Sequence, residues 1–120
     1  MADGALTGAI TGAITGGIKH IRATKLLNSM NANALDSGYD CIEIAEDLQS
    51  LNKGRGGILT FKPKSGNWIK VMEYGNVDEF TYHSVYKYGR YVIDPRYGQL
   101  STTGQYISML SKLNPLGIIY

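Results

Sequence analysis

Cys41, His83 and Asp94 are the residues of this chain whose types and spacing suit chemistry. Cys41 is the only cysteine among the 120 residues, so it has no disulfide partner within this chain. It opens an expected helix, directly after the loop Ser37-Gly38-Tyr39-Asp40. A thiol in the first turn of a helix meets the positive end of the dipole and amides without an intrahelical acceptor. Those conditions favour the thiolate, which is the nucleophilic form. The alternative use of a free cysteine is packing, since the residue is commonly buried and inert. Thiolate catalysis also needs a base that takes and returns a proton, and a carboxylate that fixes the imidazole tautomer.

His83 and Asp94 can fill those two roles if they meet, and a hairpin would bring them together. With Tyr88-Gly89 as a two-residue turn, Lys87 lies opposite Arg90, Tyr86 opposite Tyr91, Val85 opposite Val92 and Ser84 opposite Ile93. His83 then lies opposite Asp94, with Cβ atoms about 4.5–5.5 Å apart. Both side chains share one face, because orientation alternates with period two. Pro95 cannot donate to the ladder and ends the strand there. Two features oppose this register: Lys87 against Arg90 is a like-charge pair, and a type I′ turn asks Tyr88 for a positive φ. A longer loop would shift the pairing. His20 stands among Lys19, Ile21 and Arg22 with no acid nearby and reads as a surface residue.

Several elements must position these groups. The run 41–51 is the clearest helix, with Ile44, Leu48 and Leu51 at i, i+4, i+7. Asp40 is its expected N-cap, with Glu43 three residues on. Lys19 to about Met30 reads as a short helix and Asn28 to Gly38 as a loop. Strands are expected at Ile58 to Phe61, Trp68 to Glu73, Phe80 to Lys87 and Arg90 to Asp94. A helix over Ser101 to Asn114 closes the chain, capped by Thr102 or Thr103, with Tyr106, Met109, Leu110 and Leu113 on one side. Helices followed by a strand meander and a helix make an α+β domain with an antiparallel sheet.

Residues 1–18 differ from the rest. Thr7-Gly8-Ala9-Ile10, Thr11-Gly12-Ala13-Ile14 and Thr15-Gly16-Gly17-Ile18 repeat with a period of four. Glycine at this density reads as a flexible linker ahead of a single domain, 19–120. The stretch is too short and too rich in Thr and Gly for a stable membrane span, and it lacks the basic start of a secretory signal. A net charge of +2 is too weak to argue for nucleic acid by itself. One Cys and two His offer no zinc cluster. Nine tyrosines suit a β-rich domain, an interface or a groove.

Cysteine at a helix start, then histidine on a strand, then aspartate on the next strand resembles the papain-like cysteine hydrolases. The chain looks more closely like the compact papain-fold toxin domains at the C-termini of bacterial polymorphic toxins. The matching pieces are Asp40-Cys41-Ile42-Glu43-Ile44-Ala45, Tyr82-His83-Ser84-Val85-Tyr86 and Gly89-Arg90-Tyr91-Val92-Ile93-Asp94-Pro95. The repeat before them is similar to segments that precede toxin domains in Rhs-type and contact-dependent inhibition proteins. The resemblance covers roughly Asp36 to Met109. It implies a compact papain-like fold with Cys41 as nucleophile, His83 as base and Asp94 as its orienting acid, working without cofactor or metal. It also implies an antibacterial toxin, delivered as part of a larger protein into the target-cell cytoplasm and blocked by a cognate immunity protein. One departure matters: Leu35 stands where papain-like enzymes carry the glutamine of the oxyanion hole. The backbone N–H of Cys41 is one remaining donor. Asn31, Asn33 and Tyr39 are candidates for a second.

Three functions compete. The first is an amide hydrolase, a protease or glutamine deamidase working through a thioester. The second is an RNA-cleaving toxin using His83, with Tyr82, Tyr86, Lys87, Arg90 and Arg96 lining a basic, aromatic groove. The third is an interaction module whose tyrosine-rich sheet binds a partner.

Overall fold

Asp40 starts the helix that carries the thiol, and it does so by reciprocal capping. Its Oδ1 accepts the amides of Ile42 (2.9 Å) and Glu43 (3.1 Å), while Glu43 Oε1 accepts the Asp40 amide at 3.1 Å. This capping box fixes the start of helix α2 (Cys41–Leu51). A computed structural model describes residues 10–29 and 40–120, the side chains of 10–16 excepted. Helix α1 (Ile10–Ser29) precedes α2. It begins nine residues before the expected Lys19 (10 against 19), so Ile10 to Ile18, half of the stretch expected to be linker, is helical. Ala23 and Leu26 are buried against α2 and the sheet, which docks the later half of α1. The rest of the linker reading, residues 1–9, and most of the loop expected at 28–38 lie outside the described residues.

The strands β1 (Gly57–Pro63), β4 (His83–Tyr88), β5 (Tyr91–Ile93), β6 (Ser101–Thr102) and β7 (Ile118–Ile119) form one antiparallel sheet in the order β6-β5-β4-β1-β7. Strands β2 (Ile69–Glu73) and β3 (Asn76–Phe80) make a separate hairpin. Helix α3 (Thr103–Leu113) follows β6, capped by Thr102 with Gln105 in a second capping box. The class is therefore α+β, as the element order implies. Among the described residues, no helix is long and apolar enough to cross a membrane.

The main sheet is covered on both faces. Tyr86 and Ile93 point into one core with Ala23, Leu26, Ile44, Ala45 and Leu48 of the two N-terminal helices. Val85 and Val92 point the other way, into a core with Ile69, Val71, Tyr106 and Leu110. Period-two alternation along β4 and β5 thus splits the two layers. Asn114 ties α3 to the β2–β3 hairpin through both backbone groups of Lys70, at 2.8 and 2.9 Å.

The β4–β5 hairpin has a different register from the expected one. Tyr88 pairs with Tyr91, Lys87 with Val92 and Tyr86 with Ile93, so Gly89-Arg90 is the turn. Gly89 takes the positive φ, 60°, at the first turn position, and tyrosine is spared it. A Tyr-Gly turn does occur, between β2 and β3, where Tyr74 (φ 52°) and Gly75 (φ 78°) are both left-handed. The turn chemistry assigned to Tyr88-Gly89 belongs to Tyr74-Gly75. The expected single strand from Phe80 to Lys87 is likewise two, broken at Thr81-Tyr82.

Candidate active site

A register shift of two leaves every side chain on its original face. His83 and Asp94 therefore still share the α3 side of the sheet, although they are not directly opposed. Strand β5 stops at Ile93, and the chain turns back at Asp94, whose carbonyl accepts the amides of Tyr97 and Gly98, both at 3.0 Å. That turn brings Asp94 Oδ2 to 3.1 Å from His83 Nε2. Its other oxygen, Oδ1, accepts the amides of Arg96 (3.2 Å) and Tyr97 (3.4 Å). The carboxylate is thus held from both sides.

Tyr106 of α3 joins this pair. Its hydroxyl donates to Asp94 Oδ2 at 2.5 Å and lies 2.9 Å from His83 Nε2. All three groups are buried, His83 to 1% and Tyr106 to 0% exposure. Proton accounting fixes the tautomer. The phenol proton goes to the carboxylate, so Nε2–H is the donor shared between Asp94 and the phenol oxygen. Nδ1 is the ring nitrogen that Asp94 and Tyr106 leave unused.

Cys41 reaches the same place from the opposite face. The Ser84 amide lies beyond the last β4–β5 residue pair, Tyr86 with Ile93, and donates to Cys41 Sγ at 3.4 Å. Cys41, Ser84, His83 and Asp94 line one void of about 10 Å³, roughly the room for one water. Cys41 is partly exposed. Asp40 takes the amides of Ile42 and Glu43 and leaves the Cys41 N–H, the first of the helix, to a ligand.

Electrostatics follow the geometry. Burial works against charge on His83, but the hydrogen bond to Asp94 and the neighbouring thiol of Cys41 overcome it and lift the imidazole to about 9. Burial also pushes Asp94 up, yet the bond and charge of His83, with Tyr106 and the Tyr97 amide, hold its carboxyl below the ordinary range. Burial, then the Asp94 charge, raises Tyr106 well above an ordinary phenol. At neutral pH His83 is an imidazolium whose charge the Asp94 carboxylate neutralises, with Cys41 beside it. Such a unit delivers a proton to a leaving group without first having to gain one.

Of the other sequence-derived candidates among the described residues, Tyr86 and Arg96 line the same void, and the rest do not. Tyr82 stands at the mouth, 38% exposed, and the charges of Cys41 and Asp40 raise its phenol. Tyr86 is wholly buried; its hydroxyl donates to the Arg55 carbonyl and accepts from Asn52 Nδ2. Lys87 lies four residues beyond His83, roughly 13 Å along the strand, and Arg90 sits in the turn past it. Arg96 points inward to Glu73, at 3.7 Å. These five do not form a groove, because strand alternation buries Tyr86 and the hairpin carries Lys87 and Arg90 away from the site. Asn31, Asn33 and Tyr39 lie outside the described residues. Among the described residues, no three His, Cys, Asp or Glu side chains gather as metal ligands.

Tyr106 was legible only as an apolar helix position; its hydroxyl partners are 12 and 23 residues away in sequence. Tyr106→Phe leaves Asp94 Oδ2 with one donor fewer. The free energy of unfolding should fall by about 2 kcal/mol, the worth of a hydrogen bond to a charged group. A urea midpoint shift at constant m-value checks this.

No known protein family, curated protein or solved structure matches the chain.

Proposed function

We propose that this domain is a cysteine hydrolase of papain-like type, cleaving an amide through a thioester. The observation that supports it is the gathering of Cys41, His83 and Asp94 around one small void, with His83 hydrogen-bonded to Asp94 and Cys41 at a helix start. The thiolate attacks the carbonyl carbon, and the oxyanion is held by the Cys41 amide at the positive end of α2. His83 protonates the departing amine from Nδ1, which leaves an acyl-thioester on Cys41. The now neutral imidazole takes a proton from water, the hydroxide adds to the thioester, and the proton returns to the leaving thiolate. Asp94 keeps Nε2 protonated throughout, with Tyr106 as its second donor.

The biological setting that fits this chemistry is the one its resemblance implies. It is an antibacterial toxin domain acting in the target-cell cytoplasm, with an immunity protein as its antagonist. The substrate is then an accessible amide of a protein, as for a protease or glutamine deamidase. Nothing favours the RNA-cleaving alternative, since Lys87 and Arg90 stand at the far end of the hairpin.

Expression of the chain in cells without an immunity protein tests the proposal. Cys41→Ala and His83→Ala should each abolish growth inhibition while total RNA stays intact. A Cys41→Ala protein that still inhibits growth removes the thioester route.

A further inference from the structure

Arg96, two residues after Asp94, ties the Asp94 segment to the β2–β3 hairpin. The Arg96 amide donates to Asp94 Oδ1 at 3.2 Å, its carbonyl accepts from the Tyr74 amide at 2.7 Å, and its Nη1 lies 3.7 Å from Glu73 Oε2. Both ends of that ion pair are largely buried, the side chains 12% and 8% exposed. Glu73 Oε2 accepts no hydrogen bond among the described residues. Burying a carboxylate with so little satisfaction is costly, and the usual return for such a pair is a fixed position. Burial raises the Glu73 carboxyl, and the charges of Arg96 and His83 pull it back down, so this carboxylate senses the imidazolium.

We propose that Arg96 is a positioning residue: anchored on Glu73 and Tyr74 of the β2–β3 hairpin, it holds the Asp94 carboxylate against His83. The inference rests on the reading of Cys41, His83 and Asp94 as one site. The hairpin is then part of the machinery, because the short strand β5 ends before Asp94 and cannot fix it alone. Tyr74, which donates that amide, occupies a left-handed turn position, φ 52°, that tyrosine seldom adopts. The strained turn places its N–H where the Arg96 carbonyl needs it.

Titration of the two histidines by NMR, in the whole chain, separates positioning from simple charge. His20 is the internal reference. Removing the positive charge in Arg96→Met would, through space alone, raise the His83 midpoint. Loss of positioning lowers it, by about one unit. Arg96→Lys, which keeps a cation for Glu73, should restore most of the shift. Arg96→Met strands a buried carboxylate, so the double variant Glu73→Leu with Arg96→Met is the second protein to measure. It removes both charges, so Glu73→Leu alone supplies its baseline: relative to that single variant, positioning predicts a further fall on adding Arg96→Met, whereas charge through space predicts a rise. A His83 midpoint that rises or stays in either comparison, Arg96→Met against the unaltered chain or the double variant against Glu73→Leu, overturns the inference. The parent reading is tested apart from this, by iodoacetamide alkylation of Cys41. A rate in the unaltered chain that ignores His83→Ala defeats the shared site, whatever the His83 midpoint does.

Discussion

Asp94→Asn should cost about 3 kcal/mol of stability and, for the proposed hydrolase, lower kcat by about three to four orders of magnitude. The reason lies in the donors that converge on this side chain. Oδ1 accepts two backbone amides and Oδ2 accepts Tyr106 and His83, so a carboxylate is the only group that suits all four. An asparagine must aim its NH₂ either at the amides of Arg96 and Tyr97 or at Nε2–H and the phenol. In both orientations donors face donors. The imidazole escapes by losing its charge and moving its remaining proton to Nδ1, so that Nε2 can accept from the amide. That neutral tautomer no longer stabilises a thiolate by its charge, and in the proposed acyl-enzyme it offers no base on the sulfur side. The urea midpoint should drop at unchanged m-value, and Cys41 alkylation should slow at pH 7. An Asp94→Asn protein within about half a kcal/mol of the parent, or with unchanged alkylation, would show that the carboxylate does not anchor the imidazole.

What the sequence discloses about this site is the face, and what it hides is the register. Alternation alone places His83 and Asp94 on one side of a sheet, and that survives a shift of two residues. The turn could not be read correctly because Tyr74-Gly75 and Tyr88-Gly89 are the same dipeptide used differently. In the first both residues are left-handed; in the second only the glycine is, with Arg90 completing the turn. Strand β3 escaped notice because Asn76, Val77, Asp78 and Glu79 are all exposed and carry no buried alternation. Helix α2 was legible to the residue, since its cap, its acid at the third position and its apolar stripe all agree. Tyr106 and Glu73 were not legible as site residues. Each has a long-range partner, and no local pattern encodes a contact across layers.

Stability should fall by roughly 3 kcal/mol as pH rises from about 6.5 through 9, and His83 should be the cause. Its folded value is raised above that of the unfolded chain. The contribution is therefore complete below the unfolded pKa of about 6.5 and disappears as the native imidazolium loses its proton near 9. Asp94 works in the opposite window. Its folded value is lowered, so its share is present above about 4 and is lost on acidification through the folded value. Both shifts describe one ion pair, and the plateau between them is where the site is held most firmly. Above about pH 10 the raised Tyr106 phenol adds a further loss, because the unfolded tyrosine ionises first. Urea unfolding across roughly pH 6 to 9.5 measures the slope, and His83→Gln should flatten it. Cys41→Ala should move the midpoint down without abolishing the slope, since Cys41 supports the imidazolium after Asp94. A slope untouched by His83→Gln would assign the pH dependence elsewhere, and with it the claim that a pre-charged imidazolium stands ready beside the thiol.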